Sequence, residues 1–261
     1  MPWFRTGGIR LHYQVRGTGQ ALVFLNGLGM STRDWVKQVE FFSESYRVIT
    51  FDPRGHGLST KPDGPYSMQL FADEAAELLQ SLLASPAHLV GLSMGGMIAF
   101  QMAVSSPELL KTMVIVNSGP EFIIRTARQR FEIVKREFIT RFLGMRRLSE
   151  FLSGRLFPDP KQLKDRELMK MHWAENEKNA YLASFRALKG WSVTNHLKNI
   201  RCPTLVISAE EDYTPVTFKE WYVGRMPNAE LVIVPNSRHV TPLDQPDLFN
   251  RIVADFLSRH P

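Results

Sequence analysis

The chain has 261 residues, 44% of them hydrophobic, and no low-complexity tract, enough to bury a sizeable core as one domain or one domain plus an insertion. No apolar run approaches the roughly 18 residues of a membrane span, the first residues carry neither an apolar h-region nor a small-residue cleavage site, and the single Cys202 allows no internal disulfide; a soluble cytoplasmic protein without a membrane partner is the expectation. The net charge of +6 gathers in one stretch, Glu121 to Ile200, with 17 Lys and Arg against 9 Asp and Glu, and no recognised nucleic-acid module accompanies it, so nucleic acid is not an expected partner.

In chain order, Ile9 to Arg16 alternates as a strand and ends at the turn Gly17-Thr18-Gly19, before the continuous apolar run Ala21 to Leu25. An exposed hairpin followed by a buried strand is the natural reading. The glycine-rich loop Asn26-Gly27-Leu28-Gly29 leads to a helix around Asp34 to Phe42 and a buried strand over Tyr46 to Phe51. Asp52-Pro53-Arg54-Gly55-His56-Gly57-Leu58-Ser59 excludes helix and strand alike. Apolar residues at helical spacing then fill Leu70 to Leu83, a strand runs from His88, a helix reaches about Ser105, and Lys111 to Asn117 is strand-like. Such alternation implies parallel strands with helices on both faces, an α/β, doubly wound arrangement.

The rhythm breaks at Ser118-Gly119-Pro120. Residues 120–195 show no buried-strand signal, only apolar and basic residues at helical spacing, and read as a helical cap inserted into a core made of 1–119 and 196–261. Its basic surplus is a solvated helical face on the plain reading. The sharper reading is a collar that attracts an anionic or carrier-bound substrate. Phe122, Phe142, Phe151, Trp173 and Trp191 are candidates to line an apolar pocket, or else simply form the cap's own core. Strands at Pro203 to Ser208 and Ala229 to Val234 and helices from Pro215 to about Arg225 and Pro242 to Leu257 complete the chain.

The chemistry centres on Gly91-Leu92-Ser93-Met94-Gly95, a strand running into a serine bracketed by glycines and then into a helix. This pattern fits a sharp strand-to-helix turn that exposes a nucleophilic serine, with small residues where strand and helix nearly touch. A serine hydroxyl needs a base, and the base needs a carboxylate to hold its tautomer. Of seven histidines, His239 directly follows the last strand, whereas His12 belongs to the outer hairpin, His56 comes too early and suits loop bracing, and His260 is nearly terminal. Asp212, three residues before Pro215 in the loop after the preceding strand, is the chosen acid; Glu210 and Glu211 read as solvated, and the other usual location for an acid holds the uncharged Asn117. The backbone N–H groups of Met94 and Leu28 are the expected oxyanion donors.

On these motifs the chain resembles the α/β-hydrolase superfamily over essentially its full length. Within it the sequence is similar to 3-oxoadipate enol-lactonases and pimeloyl carrier-protein methyl ester esterases, with Asn26-Gly27 where many relatives have His-Gly. The resemblance implies a mostly parallel eight-stranded sheet and a serine hydrolase acting on a carboxylic ester or lactone. Carbon–carbon or thioester hydrolysis by the same residues, and a ligand-binding protein with little turnover, are the alternatives. No metal or organic cofactor is expected, and a monomer and a homodimer fit the sequence equally.

Overall fold

A computed structural model describes residues 2–261. Its strands are β1 (Trp3–Thr6), β2 (Ile9–Arg16), β3 (Ala21–Leu25), β4 (Arg47–Phe51), β5 (Ala87–Leu92), β6 (Leu110–Val116), β7 (Thr204–Ala209) and β8 (Ala229–Val234). They form one sheet in the order β1-β2-β4-β3-β5-β6-β7-β8. Every neighbouring pair from β4 to β8 is parallel, and β2 runs antiparallel to both β1 and β4.

The interior follows from the two-residue period of strands. Val23 and Leu25, Leu89, Met113 and Ile115 face one side, where they pack with Phe71 and Leu78 of α2 (Met68–Ser81) and Ile98 and Met102 of α3 (Met94–Ser105). Leu22, Phe24, Val90, Val114 and Val116 face the other side, against Phe42 of α1 (Val36–Phe42) and Phe249, Val253 and Phe256 of the C-terminal helix (Pro246–Ser258). The strands are apolar on both faces because both faces are covered. α3, ten of whose twelve residues are buried, is apolar all round for the same reason.

The outer hairpin and the buried strand after it form as expected, and two local expectations change. The hairpin partner of β2 is β1, joined through Gly7 and Gly8 at φ +49° and +78°, while Gly17 and Gly19 connect β2 to a strand that is not its neighbour. His12 in β2 is therefore buried, its Nδ1 2.9 Å from Asp52 Oδ2, because β2 lies between two strands and not at an open edge. The closing helix is also interrupted, a short turn at Thr241–Asp244 preceding the helix that starts at Pro246.

Between β6 and β7 the chain builds four helices, α4 (Ala127–Phe138), α5 (Gly144–Leu156), α6 (Leu163–Ala174) and α7 (Lys178–Leu188). The neck of this excursion is tied by an antiparallel bridge between Glu121 and Ser192, with Phe122 N–H donating to Trp191 O at 2.8 Å and Val193 N–H to Pro120 O at 2.8 Å. α4 buries none of its residues and continues into a π-helical turn at Ile139–Leu143; Phe131, Val134, Phe138 and Phe142 are exposed along it. Beyond β7 follow α8 (Val216–Val223) and β8. No helix among the described residues is long and apolar enough to cross a membrane.

Candidate active site

Parallel strands deliver their C-terminal ends to one edge, and the turn and loops that carry Ser93, Asp212 and His239 leave from it. Register sets the neighbours: Leu25 of β3 lies opposite Gly91, and Val116 of β6 opposite Leu92. Ser93 sits at the turn itself with φ +54° and ψ −115°, a conformation unusual for a residue with a side chain. Strain of this kind costs on the order of 1–3 kcal/mol and persists only where the surroundings enforce it. Here Ser93 N–H donates to Val116 O at 2.9 Å and Ser118 Oγ to Ser93 O at 2.6 Å. The flanking glycines are steric necessities. A Cβ on Gly95 would stand 2.0 Å from Leu25 O, and one on Gly91 2.4 Å from Gly95 O.

His239, in the loop after β8, and Asp212, in the loop after β7, are joined by a 2.6 Å contact from Nδ1 to Oδ1. The Asp212 side chain is completely buried, and its second oxygen lies 2.6 Å from Nζ of Lys219 on α8, itself fully buried. Tyr213 N–H donates to Oδ1 at 2.8 Å, and Thr214 Oγ1 donates to Oδ2. Burial alone would raise this carboxyl, but the facing His239 and Lys219 outweigh it and hold it down at about 2. Lys219 is pulled the other way, since burial lowers its pKa more than Asp212 raises it. Above the imidazole, the ring of Tyr213 stacks at 4.0 Å between centroids. Half of the Tyr213 surface is open, yet enough protein surrounds it that burial raises its phenol pKa.

Among the described residues Ser93 Oγ hydrogen-bonds neither His239 nor any other group, so the serine hydroxyl is uncommitted. The N–H groups of Met94, the first residue of α3, and of Leu28 likewise donate to no group among the described residues. The loop carrying Leu28 is braced from below. Asn26, fully buried, donates through Nδ2 to Phe51 O at 2.8 Å and accepts from Trp35 Nε1 at 2.6 Å. Asp52 likewise accepts from Thr32 N–H at 2.7 Å and Leu58 N–H at 3.0 Å, locking the adjoining loop.

The remaining candidates are spread over the cap. Trp173 is buried with its Nε1 unpartnered, its ring edge against the place where a side chain on Gly29 would sit. Half-buried Phe122 packs edge-on to Phe185, half-buried Trp191 donates to Gln101 Oε1 at 2.8 Å, Phe142 points outward with its ring beside Phe138, and Phe151 carries Lys135 over its ring at 4.5 Å. Clefts of about 670 and 270 Å³ lie away from Ser93, beside Tyr66 and Arg186 and beside Val15 and Val36. His56 is buried in its loop, with Nδ1 3.0 Å from Arg54 O. Glu211 pairs with Arg238, and Glu210 accepts from Asn236 N–H at 3.0 Å.

Three contributors escaped the sequence. Lys219 reads as an ordinary helix lysine, and Tyr213 as a loop residue beside the acid. Asn117, at φ +46°, donates through Nδ2 to His239 O at 2.8 Å and accepts from Ala209 N–H at 2.7 Å, tying the histidine loop to β7. Only its position after β6, where an acid is often found, hinted at a role.

Comparison with known proteins places the chain in a family. A family model described as the alpha/beta hydrolase family matches residues 22–252. The chain is 28% identical to (E)-2-((N-methylformamido)methylene)succinate hydrolase of Acinetobacter baylyi, over 96% of this chain and 95% of that one. It is also 28% identical to 3-oxoadipate enol-lactonase 2 of the same organism, over 96% and 94%. The crystal structure of an enol-lactonase from Burkholderia xenovorans superposes with a TM-score of 0.91 at 24% identity, covering 98% of this chain and all of that one, which speaks to the fold. The chain belongs to the alpha/beta hydrolase family and is a hydrolase of that family.

Proposed function

We propose that the chain is a serine hydrolase that cleaves a small carboxylic ester or lactone through an acyl-enzyme. Ser93 Oγ attacks the carbonyl carbon while His239 Nε2 takes its proton; the tetrahedral oxyanion is held by the N–H groups of Met94 and Leu28, and collapse expels the alcohol, which receives the proton from His239. Water then repeats the sequence on the acyl-Ser93 ester and releases the acid. Asp212 stays ionised throughout, fixing the imidazole tautomer through Nδ1 and stabilising the imidazolium. The observation that carries this reading is the 2.6 Å Asp212–His239 contact on the two loops that follow β7 and β8, with Ser93 in a strained turn at the same sheet edge. The uncommitted serine hydroxyl is consistent with a contact to His239 that tightens when substrate binds, as is common in unliganded enzymes.

The region 120–195 is assigned as the lid over a core of 1–119 and 196–261. Trp173 is the lid residue best placed to touch substrate, because it already touches the oxyanion loop at Gly29. The names of the two Acinetobacter relatives, a lactonase and a hydrolase of a substituted succinate, favour a small substrate of this kind. A fluorophosphonate should label the protein at Ser93, and Ser93→Ala should abolish labelling and lower turnover of aryl esters and lactones by about 10⁴-fold or more. Unchanged turnover in that variant would sink the assignment.

A further inference from the structure

Several cap arginines make no ion pair, and one of them is held by a buried tyrosine instead. Arg136, half-buried on α4, donates from Nε to Tyr181 Oη at 2.8 Å and from Nη2 to the same oxygen, and its guanidinium lies 5.5 Å and 4.8 Å from the ring centroids of Tyr181 and Phe185. The nearby carboxylates are already taken: Glu132 pairs with Arg155, Glu137 with Lys189 and Glu121 with Arg125. Among the described residues no acid lies within ion-pair distance of Arg136, and its Nη1 donates to none of them. A cation partly withdrawn from water, held against aromatic rings and paired with no carboxylate, is suited to take an anion.

Its location gives that anion a place. Tyr181, almost wholly buried, presses Cε2 to 3.2 Å from where a Cβ of Gly29 would stand, and Gly29 adjoins the proposed oxyanion donor Leu28. A single aromatic ring thus separates the guanidinium from the oxyanion loop. On the far side, Tyr213 stacks on His239 and lies close enough to Arg136 to feel its charge. The Tyr181 hydroxyl accepts both arginine hydrogens and has its own proton to give, so Arg136 Nη1 and Tyr181 Oη together offer two donors of the kind a carboxylate takes.

We propose that Arg136 and Tyr181 form a carboxylate subsite, and that the substrate is an ester or lactone carrying a free carboxylate about one ring's length from the scissile carbonyl. This rests on the acyl-transfer reading of Ser93. It turns the general basicity of the cap into one specific contact.

The test compares two aryl esters of equal chain length, a monoester of a short dicarboxylic acid and its methyl-capped neutral counterpart, in the wild type and in Arg136→Gln, Arg136→Lys and Tyr181→Phe, with fluorophosphonate labelling of Ser93 run alongside. The expected result is a wild-type preference for the anionic ester, with the anionic-to-neutral ratio of kcat/KM falling about 10- to 100-fold in Arg136→Gln, partly restored by Lys, and falling less in Tyr181→Phe. Equal losses on both esters would assign Arg136 to packing alone and overturn the subsite. So would a wild type that labels at Ser93 and shows no preference. A wild type that does not label overturns the Ser93 reading, and the subsite with it.

Discussion

Replacing Lys219 with Met removes the ammonium beneath Asp212 and keeps an apolar stem of similar reach. Ammonium and imidazole contact opposite oxygens of one carboxylate, each at 2.6 Å. His239 and Lys219 together hold that carboxyl down at about 2 against burial. With the charge centres roughly 4 Å apart and an effective dielectric of about 20, the ammonium contributes about 4 kcal/mol of attraction, which the variant loses in part. Without it Asp212 takes its proton at higher pH, and because the proposed mechanism needs the ionised carboxylate, the acid limb of kcat/KM should rise by about one to two pH units. Stability should also fall, because breaking a buried pair strands part of a buried charge, at a cost of about 3–5 kcal/mol less whatever His239 makes good. The assay is the pH profile of an aryl ester between about pH 4 and 9, with circular dichroism to show that the variant is folded. A folded variant whose acid limb moves by less than about 0.3 units would refute the coupling.

Two further predictions concern the scaffold. Gly95→Ala should lower the stability of the fold by about 3 kcal/mol or more, read from the urea midpoint, because its Cβ would stand 2.0 Å from the backbone oxygen of Leu25, which cannot rotate away; a loss under about 1 kcal/mol would show that the turn is looser than described. His88, fully buried with Nδ1 2.8 Å from Thr112 Oγ1, has its pKa lowered to about 4 by burial and, secondarily, by Lys111 and His260. Its folded pKa lies below the unfolded value, so its stability is present above about pH 6.5 and lost as pH falls through 4, some 3 kcal/mol in all. His88→Gln should flatten that part of the stability–pH curve, and an unchanged slope would exclude His88 as its source.

The order in which the chain presents its elements was legible because each signal is local. A serine between glycines after an apolar strand, an acid in the next-to-last strand's loop and a histidine in the last one's need only their immediate neighbours to be recognised. The continuous apolar strands revealed a sheet covered on both faces, since burial on both faces erases alternation. Pairing was not legible in the same way. Gly17-Thr18-Gly19 marks a turn without naming the strands it joins, and β4 enters between β2 and β3 from more than twenty residues away. His12, expected on an exposed hairpin, is buried within it for that reason.

The sequence by itself determined the alternating α/β plan, the interruption by a helical segment and the positions of Ser93, Asp212 and His239 along the chain, because residue type and spacing encode local conformation. Tertiary structure alone decided that Lys219 lies under Asp212, that Tyr213 covers His239, that Asn117 ties the histidine loop to β7, and that Arg136 is held by the buried Tyr181. Each depends on which side chains distant in sequence are brought within a few ångströms, and electrostatic and steric interactions act at that range whatever the separation along the chain.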